Sequence, residues 1–166
     1  MNDIKIQTAL REIPQYWPGN CFACSRTNPV GLKLRFWISE QGCLSKCILS
    51  ENYSGFTGIA HGGIISTLID EVAAWTIIVK KKKLGFTTDM SIRYIKPVPV
   101  NTEIIIQGEI INNDDKKVNV KTSIISGNNI LLAEGICKYM IPEVSVLARL
   151  GNIEESVLVQ FLNAYR

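Results

Sequence analysis

Leu32, Leu34, Phe36 and Ile38 alternate with Lys33, Arg35 and Trp37, the period-two pattern of a strand over 32–39. Gln41-Gly42 predicts a hairpin turn into a second strand, 43–49. Upstream, 4–13 has the spacing of a weak amphipathic helix that Pro14 and Pro18 close, and 21–31 reads as loop. The stretch 51–60, with Gly55 and Gly58, reads as irregular. From Gly62 to about Lys81 the pattern becomes helical, with Lys80 to Lys83 at its negative end and Gly85 placed to supply a left-handed cap. Strands are then predicted over 86–95, 102–111, 118–126 and 130–141. The first carries Thr88, Met90, Ile92 and Tyr94 on one face. Asn112-Asn113-Asp114-Asp115 and Gly127-Asn128-Asn129 separate β-branched runs, as in an antiparallel meander. Val157, Leu158, Phe161, Leu162 and Tyr165 then predict a C-terminal helix over 154–165.

Two strands, one long helix and at least four further strands describe an α+β domain. The helix is apolar almost all round over 64–79, so it should be surrounded. A strongly curved antiparallel sheet wrapped around it satisfies this. No repeat or linker divides the chain, which predicts one domain across 1–166 with its core at about 21–141.

Composition narrows the function classes. Apolar residues make up 46% and charged residues 20% of the 166, as in ordinary globular chains. The net charge of +3, from 18 basic and 15 acidic residues, is too mild to argue for nucleic acid. The first residues lack the apolar run of a secretory signal. The longest apolar region is broken by Asp70 and Glu71, which argues against membrane insertion. The expected location is therefore cytoplasmic. Five cysteines, at 21, 24, 43, 47 and 137, do not suggest a disulfide framework.

Two features carry candidate chemistry. Asp70-Glu71 lies within an apolar helix, where an ionised carboxylate costs several kcal/mol unless paired. Ser66 stands one turn before Asp70 and Ala73 and Ala74 one turn after it. That stripe suits a solvated face, a helix contact or a lined cavity equally. His61-Gly62-Gly63 opens the helix, where backbone N–H groups lack partners and glycines admit close approach. Such an end suits a carbonyl oxygen that becomes an oxyanion. His61 and Asp70 are nine residues apart, about 13.5 Å along a helix. If both act on one carbonyl, a second subunit must supply one of them, which requires a homodimer with interfacial sites.

Residues 56–71, Phe-Thr-Gly-Ile-Ala-His-Gly-Gly-Ile-Ile-Ser-Thr-Leu-Ile-Asp-Glu, resemble the signature of hotdog-fold thioesterases, in particular their PaaI-like branch. Cys21-Phe22-Ala23-Cys24 with Asn28 to Leu34, and Thr88 to Tyr94 before the Pro97 turn, are similar to flanking motifs of that branch. The resemblance covers about 21–141. It implies the hotdog fold, an acyl-CoA substrate, hydrolysis to a free acid and CoA, and a homodimer that can build tetramers. It implies Asp70 as nucleophile or general base, the Gly62 amide on the carbonyl, His61 orienting that loop or touching the thioester, and Thr87 positioning water. Gly63, Glu71, Thr88 and Arg93 are the accompanying candidates for substrate contact. Many relatives carry Asn or Gln where this chain has Gly55, so no side chain from that position reaches the thioester here.

Other signals weigh less. Cys43 and Cys47 lie about 13 Å apart on an extended strand, too far to complete one tetrahedral zinc site with Cys21 and Cys24. Neither metal nor cofactor is expected. Lys80 to Lys83, Arg93 and Lys96 could hold the CoA phosphates or form solvated faces. Two other readings stay open: a hotdog hydratase or dehydratase of acyl thioesters, and a non-enzymatic module binding acyl-CoA or lipid.

Overall fold

The computed structural model describes residues 10–112 and 114–165. Strand β1 (Arg11–Glu12) pairs with β2 (Phe36–Ile38), which pairs with β3 (Cys43–Ile48), all antiparallel. The described end of the expected N-terminal helix is therefore strand, and residues 4–9 lie outside the described residues. The strand expected over 32–39 shrinks to three residues. Lys33 takes a left-handed φ of 53°. The amides of Leu32 and Leu34 donate to the carbonyls of Phe22 and Ala23, so this backbone is paired with the loop.

The region 51–60 is more ordered than its glycines suggest. A 3-10 turn, Glu51–Tyr53, leads into a small hairpin of β4 (Ser54–Phe56) and β5 (Ile59–Ala60). Helix α1 (Gly62–Lys81) follows, with the expected bounds. Its left-handed cap is Lys82, at φ 56°, and not Gly85. The Lys82 amide donates to Ile78 O and its ammonium to Val79 O, which satisfies carbonyls the helix end leaves open.

Strands β6 (Phe86–Tyr94), β7 (Glu103–Ile110), β8 (Lys117–Ser126) and β9 (Leu131–Met140) complete a sheet of order β1-β2-β3-β7-β8-β9-β6. The expected four-strand meander is thus broken. β7, β8 and β9 follow it, but β6 sits beyond β9 at the edge. The connection 95–102 explains the jump. Its Val98 carbonyl accepts from Ala60, its Val100 amide donates to Gly58, and its Asn101 amide donates to Leu49. The chain thereby crosses the start of α1 to reach β3.

α1 packs against strands at both ends of the sheet, and Leu68, Ile69, Val72 and Ala73 are fully buried there. This is the hotdog fold. A Cβ on Gly108 of β7 would lie 2.2 Å from Thr76 Oγ1, so only glycine lets the helix approach this closely. α1 is the one described helix long and apolar enough to cross a bilayer, and here it is the core helix of the sheet.

The expected C-terminal helix is α3 (Glu155–Asn163); a second helix that the pattern did not predict, α2 (Val144–Gly151), precedes it and ends at Asn152 with φ 49°. α3 carries Phe161 edge-on to Trp75 of α1 at 5.9 Å, while Phe36 stacks on the same indole at 4.8 Å. Trp75 is core.

Candidate active site

Asp70 lies halfway along α1 on a half-buried face. Its Oδ1 accepts from the Thr87 hydroxyl at 2.7 Å and from the Tyr139 hydroxyl at 2.8 Å. The Tyr139 hydroxyl is also 2.8 Å from the Asp70 carbonyl oxygen. Oδ2 has no hydrogen-bond partner among the described residues. Burial, with the Asp70 charge beside it, pushes the Tyr139 hydroxyl well above its usual range, so it stays a donor. The carboxylate is therefore held by one oxygen and free at the other, the arrangement a base or nucleophile needs.

Pairing in the sheet explains why these three groups meet. Thr87 of β6 stands opposite Tyr139 of β9. The register then slips between Thr87 and Asp89, which leaves Thr88 as a bulge. The slip changes the face. Thr87, Met90, Ile92 and Tyr94 lie opposite the helix-facing run Tyr139, Cys137, Gly135 and Ala133. Thr88 turns away, and its hydroxyl donates to the Lys138 carbonyl. Tyr139 is the residue that sequence reasoning missed. Its signal is the run Ala133, Gly135, Cys137, Tyr139, small residues under a helix that end in one large polar-tipped side chain.

At the helix start His61 is the N-cap, and its Nδ1 accepts from the Gly63 amide at 2.9 Å. This side chain caps the first turn of the helix. The same bond engages Gly63, so its amide is not open to a substrate. The Gly62 amide has no acceptor among the described residues. A Cβ on Gly55 would sit 3.2 Å from His61 Cα, so a side chain there would crowd the cap. Tyr94 covers the turn: its hydroxyl lies 3.0 Å from Ser66 Oγ and 3.3 Å from Gly62 O. His61, Gly62, Tyr94, Ile65 and Lys96 line one recess of about 660 Å³.

Two expected contacts lie elsewhere. Arg93 pairs with Glu134 at 2.9 Å and shares neither partner nor helix-facing position with Asp70, because alternation from Ile92 turns it to the other face. Glu71 is one residue along the helix from Asp70, and that 100° rotation directs it to Cys21, at 3.6 Å, and to the Trp75 indole, at 2.9 Å. Burial raises the Glu71 carboxyl to about 7, with Cys21 adding to the effect. A hydrogen bond from Cys24, helped by the amides of Cys24 and Ala23, holds Cys21 down at about 5, while that same bond and burial push Cys24 up. The four lysines at the far end of α1 are engaged with Glu40 O, Asp114 O, Asp115 and Val79 O.

Residues 57–133, from the turn before α1 into β9, match the family model of the thioesterase superfamily. Over that stretch, just under half of its length, the chain is similar to the thioesterase superfamily. Among curated members it is 28% identical over 64 residues to mouse acyl-coenzyme A thioesterase 13, a match covering 38% of this chain. That match spans 46% of the mouse protein, under half its length. Among solved members, zebrafish thioesterase superfamily member 2 superposes with a TM-score of 0.63 at 19% identity, covering 76% of this chain and 88% of that one. A Streptococcus pneumoniae hypothetical thioesterase solved with coenzyme A superposes at 0.59 with 18% identity, covering 63% and 83%. At these identities the superpositions speak for the fold.

Proposed function

We propose that the chain is an acyl-CoA thioesterase of the PaaI-like branch, cytoplasmic, working as a homodimer whose sites lie between subunits. One observation carries the reading: an Asp70 carboxylate held at Oδ1 by two hydroxyls and open at Oδ2. The mouse relative is an acyl-CoA thioesterase and the pneumococcal neighbour holds coenzyme A, which supports the substrate class.

The chemistry needs two ends of α1. Gly62 and Asp70 are eight residues apart, about 12 Å along the axis, so one chain cannot place both on one carbonyl carbon. Two copies can. β6 is a sheet edge with unpaired backbone groups, and Phe86, Met90 and Tyr94 on it are exposed. In the dimer the Gly62 amide of one subunit polarises the thioester carbonyl and stabilises the oxyanion. Asp70 of the other subunit either takes a proton from the attacking water or attacks directly, giving an anhydride that water cleaves. In both routes the thiolate of CoA leaves and the acid is freed.

The test is thiol release from short, long and aromatic acyl-CoAs, comparing the native protein with Asp70→Asn. A loss of at least about 10³ in kcat with KM little changed is expected, because the acid acts on the transition state. Binding of acyl-CoA with no thiol released by the native protein would instead make this a binding module.

A further inference from the structure

Away from Asp70, Cys21, Cys24 and Glu71 bring their ligand atoms within 4.8 Å of one another. The chain builds this cluster from two elements. The turn 21–24 is closed by Ser25 N–H on Cys21 O at 3.1 Å, and the Ala23 amide donates to Cys21 Sγ at 3.3 Å. Glu71 arrives from the middle of α1, its Oε1 held by the Trp75 indole N–H at 2.9 Å.

We propose that Cys21, Cys24 and Glu71 form a three-ligand site for a thiophilic divalent cation, zinc in the first instance. The spacing carries the argument. A thiolate at about 2.3 Å and a carboxylate oxygen at about 2.1 Å from tetrahedral zinc lie about 3.6 Å apart. Cys21 Sγ is 3.6 Å from Glu71 Oε2 and 3.7 Å from Oε1. The donor set is mixed sulfur and oxygen, which suits a borderline-soft ion better than calcium or magnesium. The Trp75 bond fixes the carboxylate from behind, as outer partners of metal ligands do.

The surroundings agree. Cys21, Cys24 and Glu71 face a recess of about 250 Å³ whose other walls include Trp17, Ala74, Ile78 and Leu84. Among the described residues no lysine or arginine lines it. Arg26, the nearest cation in sequence, donates to Lys33 O and lies over the Tyr16 ring. Two thiols and a carboxylate thus share an apolar recess with no basic side chain among its described lining. Cys43 and Cys47, too far apart to complete a zinc site with Cys21 and Cys24, lie on β3. The ligand that changes the outcome comes from α1.

The experiment titrates zinc, and then cobalt, into the full-length reduced protein after chelator treatment, with a chromophoric chelator as competitor. One zinc per chain is expected. Cobalt should give intense tetrahedral ligand-field bands and a thiolate charge-transfer band. Cys24→Ser and Glu71→Gln should each lower affinity at least about tenfold, while Asp70→Asn binds as the native chain does. Circular dichroism establishes that the variants are folded. Failure of the native protein to bind stoichiometrically overturns the proposal, as does a six-coordinate cobalt spectrum. Undiminished binding by folded Glu71→Gln also overturns it, as does a chain whose only response is a Cys21–Cys24 disulfide. None of these results bears on thiol release at Asp70.

Discussion

Tyr139→Phe deletes a single oxygen and leaves a ring that is 2% exposed in its place. No cavity beyond the hydroxyl is created, so the effect reports the hydrogen bonds alone. That hydroxyl lies 2.8 Å from both Oδ1 and the carbonyl oxygen of Asp70. A hydrogen bond to a charged group is worth about 1.5–3 kcal/mol, the expected loss of folding stability. Thr87 still donates to Oδ1 at 2.7 Å, so the carboxylate is loosened and not released. A misplacement costing about 1.4–2.8 kcal/mol in the transition state lowers kcat about 10- to 100-fold. Thr87→Ala should behave similarly. With both donors gone nothing holds Oδ1, and the double variant should lose more than the product of the two single losses. Thiol-release kinetics give kcat and KM, and urea midpoints give stability. A folded double variant within threefold of native kcat would refute the claim that these hydroxyls position Asp70.

His61→Ala removes the side chain that caps Gly63, and about 1 kcal/mol of stability should go with it, read from urea unfolding. Gly108→Ala forces a Cβ against Thr76 Oγ1 at 2.2 Å and should destabilise by at least about 1–3 kcal/mol; an unshifted melting midpoint would show that the sheet yields. Burial pushes Cys47 and Cys137 up to about 12, with Asp70 adding to the effect at Cys137. Only the thiolate alkylates, so its fraction rises with pH and stays about 10⁻⁴ at pH 8. Mass-spectrometric mapping should then find both residues unmodified in the folded protein, and rapid labelling of Cys137 would contradict the packing of α1 on β9.

Much of this fold is legible from periodicity, because α1 and β7 to β9 bury one regular face each. The bounds of α1 follow from a helical apolar run that begins at His61-Gly62 and ends among lysines. Where long-range pairing decides, local pattern fails. Leu32 and Leu34 alternate like a strand, yet their amides are taken by Phe22 and Ala23. β6 follows α1 in sequence but lies beside β9, a placement set by the 95–102 crossover and invisible in spacing. The site divides the same way. Asp70, Gly62 and His61 stand out as polar or glycine positions in an apolar frame. The bulge at Thr88 selects Thr87, Tyr139 enters through strand register, and Glu71 parts from Asp70 through a 100° step of the helix. Thr87 is implied by the resemblance alone, and neither Tyr139 nor the separate direction of Glu71 is visible without the partner strand or loop.

The shared site is tested most directly by mixing two dead variants. Gly62 is the first residue of α1, and His61 before it is extended at ψ 139°, so Gly62→Pro should remove the amide donor while keeping the helix start. Asp70→Asn removes the acid. Each variant alone should release thiol at least about 10²-fold more slowly than the native protein. Unfolded and refolded together in equal amounts, they form mixed dimers in which one of the two sites has both native groups. Activity should then recover to about a quarter of the native value, the share expected for random pairing in a two-fold dimer. A mixture no more active than its components would place both groups within one chain's site and contradict the account.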